Sequence, residues 1–312
     1  MKFTNEHGLP LPIFNALTAD EYTIAEGDYS CTGLMNAPRQ TLLSKRHQNE
    51  MVVDAMDHIW TMHGTAMHHV LENAKVEGAI KEKLIYVDLD GIKLKCQPDF
   101  IYPVEVGYAL MDLKNTSIWS VMHGLKEDWI KQTNIYAYAA IKNDIPITQL
   151  QIIAILKDWS YNDCHVKQKD GYPNAPIQVI EIPFWDLDHT ESYIRERIAI
   201  HEEAKFLPDD SLPRCTDEER WTKKSGWACE FISGNNKGQA AKGATSLHSA
   251  EAASIFQQER RTKAKLKNGT YKKGFVDTVV SFRAGESTRC ERYCPANKFC
   301  NQYKNQDHVD PF

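Results

Sequence analysis

The chain has 312 residues, of which 42% are hydrophobic and 25% charged, and its formal net charge is −5. This length accommodates a core domain of roughly 200 residues with a smaller appendage. No apolar run approaches the ~20 residues that cross a bilayer, and the first residues lack a signal-peptide pattern, so we expect a cytoplasmic protein without a membrane partner. Because the chain is acidic, any contact with nucleic acid requires a local basic patch.

The first third of the chain changes from an irregular segment to a helix and then to a hairpin. Residues 1–45 are predicted to be irregular, with prolines as breakers. Apolar residues recur at helical spacing over residues 49–76, and Gly64 within this helix would permit close approach of another backbone. Residues 84–89 and 92–102 are predicted as two strands joined by the hairpin signal Asp90-Gly91.

Further elements follow in alternation. Residues 108–113, 150–156 and 177–184 are predicted strands, and residues 126–141 and 186–205 are predicted helices. This order predicts an α/β fold, a mixed central sheet flanked by helices. A polar, proline-flanked stretch follows at residues 208–213. We therefore divide the chain into an N-terminal extension (1–24), a core domain (25–206) and a C-terminal module (207–312) that holds five of the eight cysteines.

The most informative motif is Pro98-Asp99, followed after twelve residues by Asp112-Leu113-Lys114. Adjacent strands can bring both carboxylates to one sheet edge, and such paired carboxylates suit Mg²⁺. Since strand side chains alternate, Lys114 returns to the Asp112 face, where it can stabilise charge on a phosphate. The alternative is a polar strand face exposed to solvent.

Two helices add polar residues to this motif. His68 and Glu72 lie four residues apart on one helix face, so each is a candidate metal ligand, directly or through water. His69 is the competitor, and we favour His68 because it pairs with Glu72. Gln132 and Tyr136 share a face of the helix after Lys114 and can hold a phosphate or orient Lys114. Ordinary packing and solvation are the alternatives for each pair.

Four motifs follow one another in the chain: Gly64-Thr65…His68…Glu72, Pro98-Asp99, Asp112-Leu113-Lys114 and Gln132…Tyr136. This series resembles the RecB-like branch of the PD-(D/E)xK nucleases, and the resemblance covers roughly residues 28–160. A lead-in, Ser30-Cys31-Thr32-Gly33-Leu34…Pro38-Arg39, resembles that of phage-encoded members and their bacterial relatives. The resemblance implies a restriction-endonuclease-like core and a DNA exonuclease or endonuclease that uses Mg²⁺ or Mn²⁺. It places the enzyme in phage or bacterial recombination, repair or replication, where a recombination or annealing protein is a candidate partner.

The resemblance also assigns roles to individual residues. It implies that the metal is bound by His68, Asp99, Asp112 and the Leu113 carbonyl, with Glu72 behind them. Lys114 is implied to be catalytic, and Gln132 and Tyr136 complete the site. One departure from the family is Cys96, where many members carry glycine.

Three cysteines near the C-terminus, Cys290, Cys294 and Cys300, lie within eleven residues and are predicted to bind metal. The resemblance implies an iron–sulfur cluster that these three share with one distant cysteine. We favour Cys215 as the fourth ligand because it closes a local loop at lower entropic cost, with Cys31 and Cys229 as alternatives. Four thiolates suit either a [4Fe–4S] cluster or Zn²⁺, and the resemblance favours the cluster.

A basic stretch in the C-terminal module is the predicted phosphate-contacting surface, with a solvated helix face as the alternative. Its residues are Arg260, Arg261, Lys263, Lys265 and Lys267. Trp119 and Trp129 flank the predicted active-site edge. We expect both to pack in the core, with stacking on an unpaired base as the alternative.

The sequence therefore predicts a metal-dependent deoxyribonuclease. Two alternatives remain open: a catalytically inactive nucleic-acid-binding protein with a relic nuclease fold, and a metal-dependent hydrolase of RNA or nucleotides.

Overall fold

The computed structural model describes residues 2–19, 27–168 and 170–305. It divides into two compact units, an N-terminal unit (Met1–Leu212) and a C-terminal unit (Pro213–Phe312). The sequence places its main boundary between residues 206 and 207. Its other boundary, between residues 24 and 25, lies outside the described residues, as does the end of the 207–312 module.

The N-terminal unit contains the longer elements. Its strands are β1 (Lys2–Thr4), β2 (Tyr29–Ser30), β3 (Val52–Asp54), β4 (Ile80–Lys81), β5 (Ile85–Leu89), β6 (Ile92–Cys96), β7 (Phe100–Pro103), β8 (Tyr108–Thr116), β9 (Ile147–Leu156) and β10 (Ile177–Glu181). Its α-helices are α1 (Leu11–Thr18), α2 (Cys31–Met35), α3 (Pro38–Arg46), α4 (Ile59–Glu72), α5 (Trp119–Met122), α6 (Glu127–Ile141) and α7 (Leu187–Lys205).

The main sheet has the strand order β10-β9-β8-β7-β4. The strands β8 and β9 are parallel, and the other neighbours are antiparallel. Helix α6 makes the crossover that a parallel pair requires. Lys114 of β8 contacts Gln132 of α6, whereas the next residue, Asn115, contacts His63 of α4. Because side chains alternate along a strand, α4 and α6 lie on opposite faces of β8. The predicted mixed sheet flanked by helices is confirmed.

Helix α6 is buried around its whole circumference, because every residue from Gln132 to Ala140 is buried. Ala137, Ala139 and Ala140 are fully buried and pack in one core with Leu110 of β8 and Ile152 of β9. The predicted strands at residues 84–89, 108–113, 150–156 and 177–184 and the predicted helix at 126–141 correspond to β5, β8, β9, β10 and α6. Asp186, predicted to begin the last helix of the core, instead caps α7 by accepting a hydrogen bond from His189 N at 2.7 Å.

The prediction of an irregular segment at residues 1–45 is wrong, because this region forms β1, β2, α1, α2 and α3 within its described part. The prolines stand at the first turns of helices: Pro12 near the start of α1 and Pro38 at the start of α3. A proline there has the right φ, and its missing N–H would have had no partner in the helix. Ser30 caps α2 by accepting from Gly33 N at 3.1 Å.

Two further expectations need correction. The helix predicted at residues 49–76 is shorter, since β3 and a 3₁₀ turn precede α4. A Cβ on Gly64 would meet no atom of the described residues within 4 Å, so this glycine does not mark close approach of another backbone. The strand predicted at residues 92–102 is broken: β6 joins β2 and β5 in a separate sheet, whereas β7 belongs to the main sheet.

The C-terminal unit has less regular structure. Its strands are β11 (Thr222–Lys223), β12 (Gly226–Phe231), β13 (Thr278–Arg283) and β14 (Glu286–Ser287), and its α-helices are α8 (Asp217–Arg220), α9 (Ala250–Ala264), α10 (Thr288–Arg292) and α11 (Asn301–Lys304). Helix α9 packs on the antiparallel pair β12–β13 around a small core that includes Cys229 and Ala253. No helix in the described part of the chain combines the length and the apolar character needed to cross a bilayer.

The end of α3 carries a testable pH dependence. The ring nitrogens of His47 lie 2.7 Å from Asp209 Oδ2 and 2.7 Å from Glu50 Oε1, and these hydrogen bonds raise the pKa of His47 above its ordinary value of 6.5. A histidine whose pKa is higher in the folded than in the unfolded protein stabilises the fold. This stabilisation is complete at pH values below the unfolded-state pKa and is lost as the pH rises through the folded-state pKa.

We therefore expect His47→Gln to destabilise the protein by about 0.5 kcal/mol more at pH 5.5 than at pH 9 in urea unfolding. In an Asp209→Asn background that difference should shrink. An equal loss at both pH values would contradict this assignment.

Candidate active site

Asp99 and Asp112 lie opposite each other in the antiparallel pair β7–β8. Phe100 pairs with Met111, so Asp99, which immediately precedes β7, stands opposite Asp112 in the middle of β8. The sequence predicts both carboxylates at one sheet edge; the two do come together, but Asp112 lies in the interior of its strand. Both are buried, and Asp99 Oδ2 accepts a hydrogen bond from Leu113 N at 2.6 Å.

The environment of Asp112 opposes its negative charge. Burial raises the pKa of Asp112 to about 6, and the charge of Asp99 adds to the rise, whereas Lys114 acts against it. Its Oδ2 lies 2.6 Å from Lys114 Nζ as an ion pair, but this buried oxygen receives no hydrogen bond of suitable geometry from the described residues. A second cation near Asp99 and Asp112 would stabilise both carboxylates.

Lys114 begins a chain of polar contacts that leads into α6. Its Nζ donates to Gln132 Oε1 at 2.8 Å, and Gln132 Nε2 donates to Tyr136 Oη at 3.1 Å. Burial raises the pKa of Tyr136, which keeps its phenol protonated. The structure thus brings together Lys114, Gln132 and Tyr136, the residues that the sequence groups by spacing alone.

His68 reaches the site from α4. Its Nδ1 lies 3.4 Å from Asp99 Oδ1 and 3.3 Å from Glu82 Oε1. The hydrogen bonds to Asp99 and then to Glu82 raise the pKa of His68 to about 10. The reason given for preferring His68 is wrong, because Glu72 does not pair with it: Glu72 Oε2 lies 3.6 Å from Nδ1 of His69, and both of those side chains are exposed.

Glu82 takes the place that the sequence assigned to Glu72. It follows β4, and its backbone N–H donates to Asp99 O at 3.1 Å. Its φ of 46° lies in the left-handed region, which costs a non-glycine residue about 1 kcal/mol. Sequence reasoning missed Glu82 because Lys81-Glu82-Lys83 has the pattern of a solvated turn. Only the pairing of β4 with β7 brings it to the site.

The donor set fits a hard divalent cation. One nitrogen of His68 and one oxygen each of Glu82 and Asp99 all lie within 4.8 Å of one another. Carboxylate oxygens are ligands that suit Mg²⁺ or Mn²⁺. Asp112, which stands opposite Asp99 but is not part of this group, has an Oδ2 without a hydrogen bond from the described residues. A bound metal would replace the proton of His68 as the positive charge between these carboxylates.

The charges of three cysteines near the C-terminus act on Cys215. Burial is the main cause that raises the pKa of Cys215 to about 12, and Glu219 and the three C-terminal cysteines add to it. Buried Gln302 holds Cys215 in place, because Nε2 donates to Cys215 O at 2.9 Å and Oε1 accepts from Cys215 N at 2.8 Å.

The two alternative fourth ligands lie elsewhere. Cys229 Sγ contacts Ala253 O at 3.1 Å in the small core beneath α9. Cys31 is buried in the core of the N-terminal unit, 3.9 Å from Met35 Sδ. Cys215 is therefore the candidate that lies near the three clustered cysteines.

The predicted basic surface divides into two parts. Arg261 pairs with Asp277 at 2.7 Å, and Arg260 lies against the rings of Phe231 and Phe275 and donates to the Val276 carbonyl. These two arginines thus attach α9 to the β12–β13 region. Exposed side chains make up the other part: Lys263, Lys265 and Lys267. The role of this stretch in binding DNA stays a prediction.

The two tryptophans also separate. Trp129 is 6% exposed and belongs to the core, as expected. Trp119 is 66% exposed, so the expectation of core packing is wrong for this residue.

No protein-family model matches this chain, and neither does any curated protein. Among solved structures, the chain is similar to the crystal structure of SSO0001, with 15% sequence identity and a TM-score of 0.42 over 62% of this chain and 89% of that chain. It is also similar to the crystal structure of an alkaline exonuclease, LHK-Exo, from Laribacter hongkongensis. The identity there is 15% and the TM-score 0.29, over 45% of this chain and 64% of that chain.

The charge state of His68 is directly measurable. In metal-free protein kept in EDTA, we expect its imidazole to keep a proton up to about pH 10, because Asp99 and Glu82 accept its hydrogen bonds. Imidazole resonances followed by NMR would report the pKa, with His68→Gln to assign the signal. Asp99→Asn should move the pKa back toward 6.5. A pKa near 6.5 in the parent protein would show that these contacts do not form.

Proposed function

We propose that this protein hydrolyses DNA phosphodiester bonds with Mg²⁺ or Mn²⁺ held by Asp99, Asp112 and His68. The observation that carries the proposal is the convergence of two buried carboxylates, one imidazole and the Lys114 ammonium at one point of the sheet. When bound, the cation would polarise the scissile phosphate and lower the pKa of a water molecule.

The chain's own residues position the reacting groups. Lys114 is held by the ion pair with Asp112 and by its hydrogen bond to Gln132, so its ammonium keeps N–H groups that it can donate to a phosphate oxygen or to the attacking water. Tyr136 accepts a hydrogen bond from the side-chain amide of Gln132, and this contact turns Gln132 Oε1 toward Lys114.

Two supporting roles follow from the contacts. Glu82 holds His68 beside Asp99 and belongs to the same donor group, so we propose it as a further metal ligand in the place of Glu72. The backbone N–H of Leu113 donates a hydrogen bond to Asp99, and we retain the backbone carbonyl of Leu113 as a proposed metal ligand.

We further propose a [4Fe–4S] cluster bound by Cys215, Cys290, Cys294 and Cys300. Tetrahedral Zn²⁺ with Zn–S bonds of about 2.3 Å would place the sulfurs about 3.8 Å apart. What supports a shared site is that the charges of Cys290, Cys294 and Cys300 act on Cys215, and the choice of the cluster over Zn²⁺ rests on the resemblance of the sequence. The apolar core around Cys229 in the described part of the C-terminal unit is small, so the bound cluster would stabilise the fold of this unit.

The substrate path is proposed from the exposed lysines. Lys263, Lys265 and Lys267 would contact phosphates without reading sequence, whereas Arg260 and Arg261 have partners within the protein. We also propose that the protein acts as an exonuclease on DNA ends. Its role would lie in the recombination, repair or replication of phage or bacterial DNA.

Two substitutions test the proposed chemistry. Asp112→Asn and Lys114→Ala should each lower DNA cleavage by at least about a hundredfold, because each removes charge that acts on the transition state. End-labelled linear DNA and circular DNA, incubated with Mg²⁺, Mn²⁺ or EDTA, would measure this loss and distinguish exonuclease from endonuclease action.

The control for this pair is Glu105→Gln, which alters an exposed acid and should leave cleavage unchanged. Thermal unfolding would verify that all variants fold. Full activity of Lys114→Ala, or absence of cleavage by the parent with either metal, would refute the proposed function.

A separate experiment tests the cluster. Protein purified without oxygen should be coloured by sulfur-to-iron charge transfer and contain about four irons per chain. Cys215→Ser should lose iron and colour, whereas Cys229→Ala should keep both, because Cys229 lies in the core beneath α9. Colourless protein with one zinc ion per chain would contradict the iron–sulfur assignment.

A further inference from the structure

Exposed indole rings adjoin the catalytic strand. Trp60, on the helix that carries His68, is 58% exposed, and Trp119, just after the strand that carries Asp112 and Lys114, is 66% exposed. An exposed tryptophan leaves a large apolar area in water, and such rings are characteristic of binding surfaces.

Contacts place Trp60 near Asn115, at the end of β8 that also carries Lys114. Asn115, the residue after Lys114, is hydrogen-bonded to His63, one helical turn after Trp60. The centroids of the Trp60 and His63 rings are 6.2 Å apart. Lys157 N donates to Thr116 O, the last residue of β8, at 3.0 Å, so Lys157 also lies at this strand end.

Lys157 fixes the orientation of the indole. Its Nζ lies 3.7 Å from the centre of the Trp60 ring, a cation–π contact. Since Trp60 remains 58% exposed, much of the ring surface is open to solvent despite this contact. The arrangement combines a flat apolar surface with an adjacent positive charge.

A second ammonium group lies near the same strand end. Lys126 Nζ donates to Ser120 Oγ at 2.8 Å, and Ser120 Oγ also accepts from Thr116 Oγ1 at 2.7 Å. Lys114 is close enough for its charge to act on Lys126. Lys157, Lys126 and Lys114 therefore give this end of β8 a series of positive charges.

Rings beside ammonium groups match the chemistry of an unpaired nucleic-acid strand. Bases of a single strand expose their faces for stacking, and its phosphates attract lysines, whereas paired bases in a duplex are stacked on their neighbours. We propose that Trp60, held by Lys157, stacks on an unpaired base next to the scissile phosphate, so that DNA enters the site as a single strand. This inference rests on the proposed nuclease function, since it assumes that phosphate binds beside Lys114.

The test measures binding without cleavage. Full-length Asp112→Asn protein in EDTA is titrated into a labelled single-stranded oligonucleotide and into a duplex of the same sequence, and fluorescence anisotropy gives both dissociation constants. Adding Trp60→Ala should weaken single-strand binding about tenfold and leave duplex binding nearly unchanged, since one stacked base contributes about 1–3 kcal/mol. Trp60→Phe should retain most of the affinity.

A matched control uses another exposed tryptophan. Trp221 lies in the C-terminal unit, is 46% exposed and contacts Tyr293, so Trp221→Ala should leave single-strand binding unchanged. An oligonucleotide carrying 2-aminopurine adds a stacking signal: its fluorescence should be quenched by the parent and not by Trp60→Ala.

Each outcome decides between the two proposals. Unchanged single-strand binding in Trp60→Ala, or equal losses for Trp60→Phe and Trp60→Ala, would overturn this inference even if wild-type protein cleaves DNA. A Trp60-dependent single-strand affinity in a protein that never cleaves DNA would refute the nuclease proposal, while the stacking subsite would stand.

Discussion

The site depends on one electrostatic constraint: the carboxylates of Asp99 and Asp112 are buried opposite each other in neighbouring strands. Two buried negative charges repel each other and lose hydration, at a cost of several kcal/mol per ion unless cations lie close by. Lys114 and the His68 imidazolium supply that charge at 2.6 Å and 3.4 Å. Apolar residues of similar volume would often be equally or more stable in such positions. Stability alone therefore does not explain the arrangement, which supports the proposal that it binds a cation and a phosphate.

This constraint also explains the elements around the site. None of the residues of α4, all of which the structure describes, is buried, so core packing contributes little to its position. The helix meets the rest of the site through His68 with Asp99 and Glu82 and through His63 with Asn115. Glu82 adopts a left-handed backbone conformation while it holds His68. Polar contacts at the site thus hold a helix that hydrophobic packing does not hold.

Local patterns account for much of the fold and the site, and non-local pairing accounts for most of the errors. Alternation along β8 placed Lys114 beside Asp112, and helical spacing placed Gln132 beside Tyr136. Glu82 escaped detection because its position depends on the pairing of β4 with β7, strands separated by β5 and β6 in the chain. The N-terminal helices were missed because Pro12 and Pro38 act at helix starts and not as breakers. The break between β6 and β7 depends on which sheet each strand joins, which local hydrophobicity does not specify.

The central claim is that Asp99, Asp112 and His68 together bind one divalent cation. Calorimetric titration of metal-free protein with Mn²⁺ at pH 8, repeated in buffers of different ionisation enthalpy, measures both binding and proton release. Because the pKa of His68 is about 10 and that of Asp112 about 6, binding should release about one proton, from His68. Asp99→Asn and Asp112→Asn should each weaken binding strongly. Absence of Mn²⁺ binding, or binding that survives both substitutions, would contradict the account.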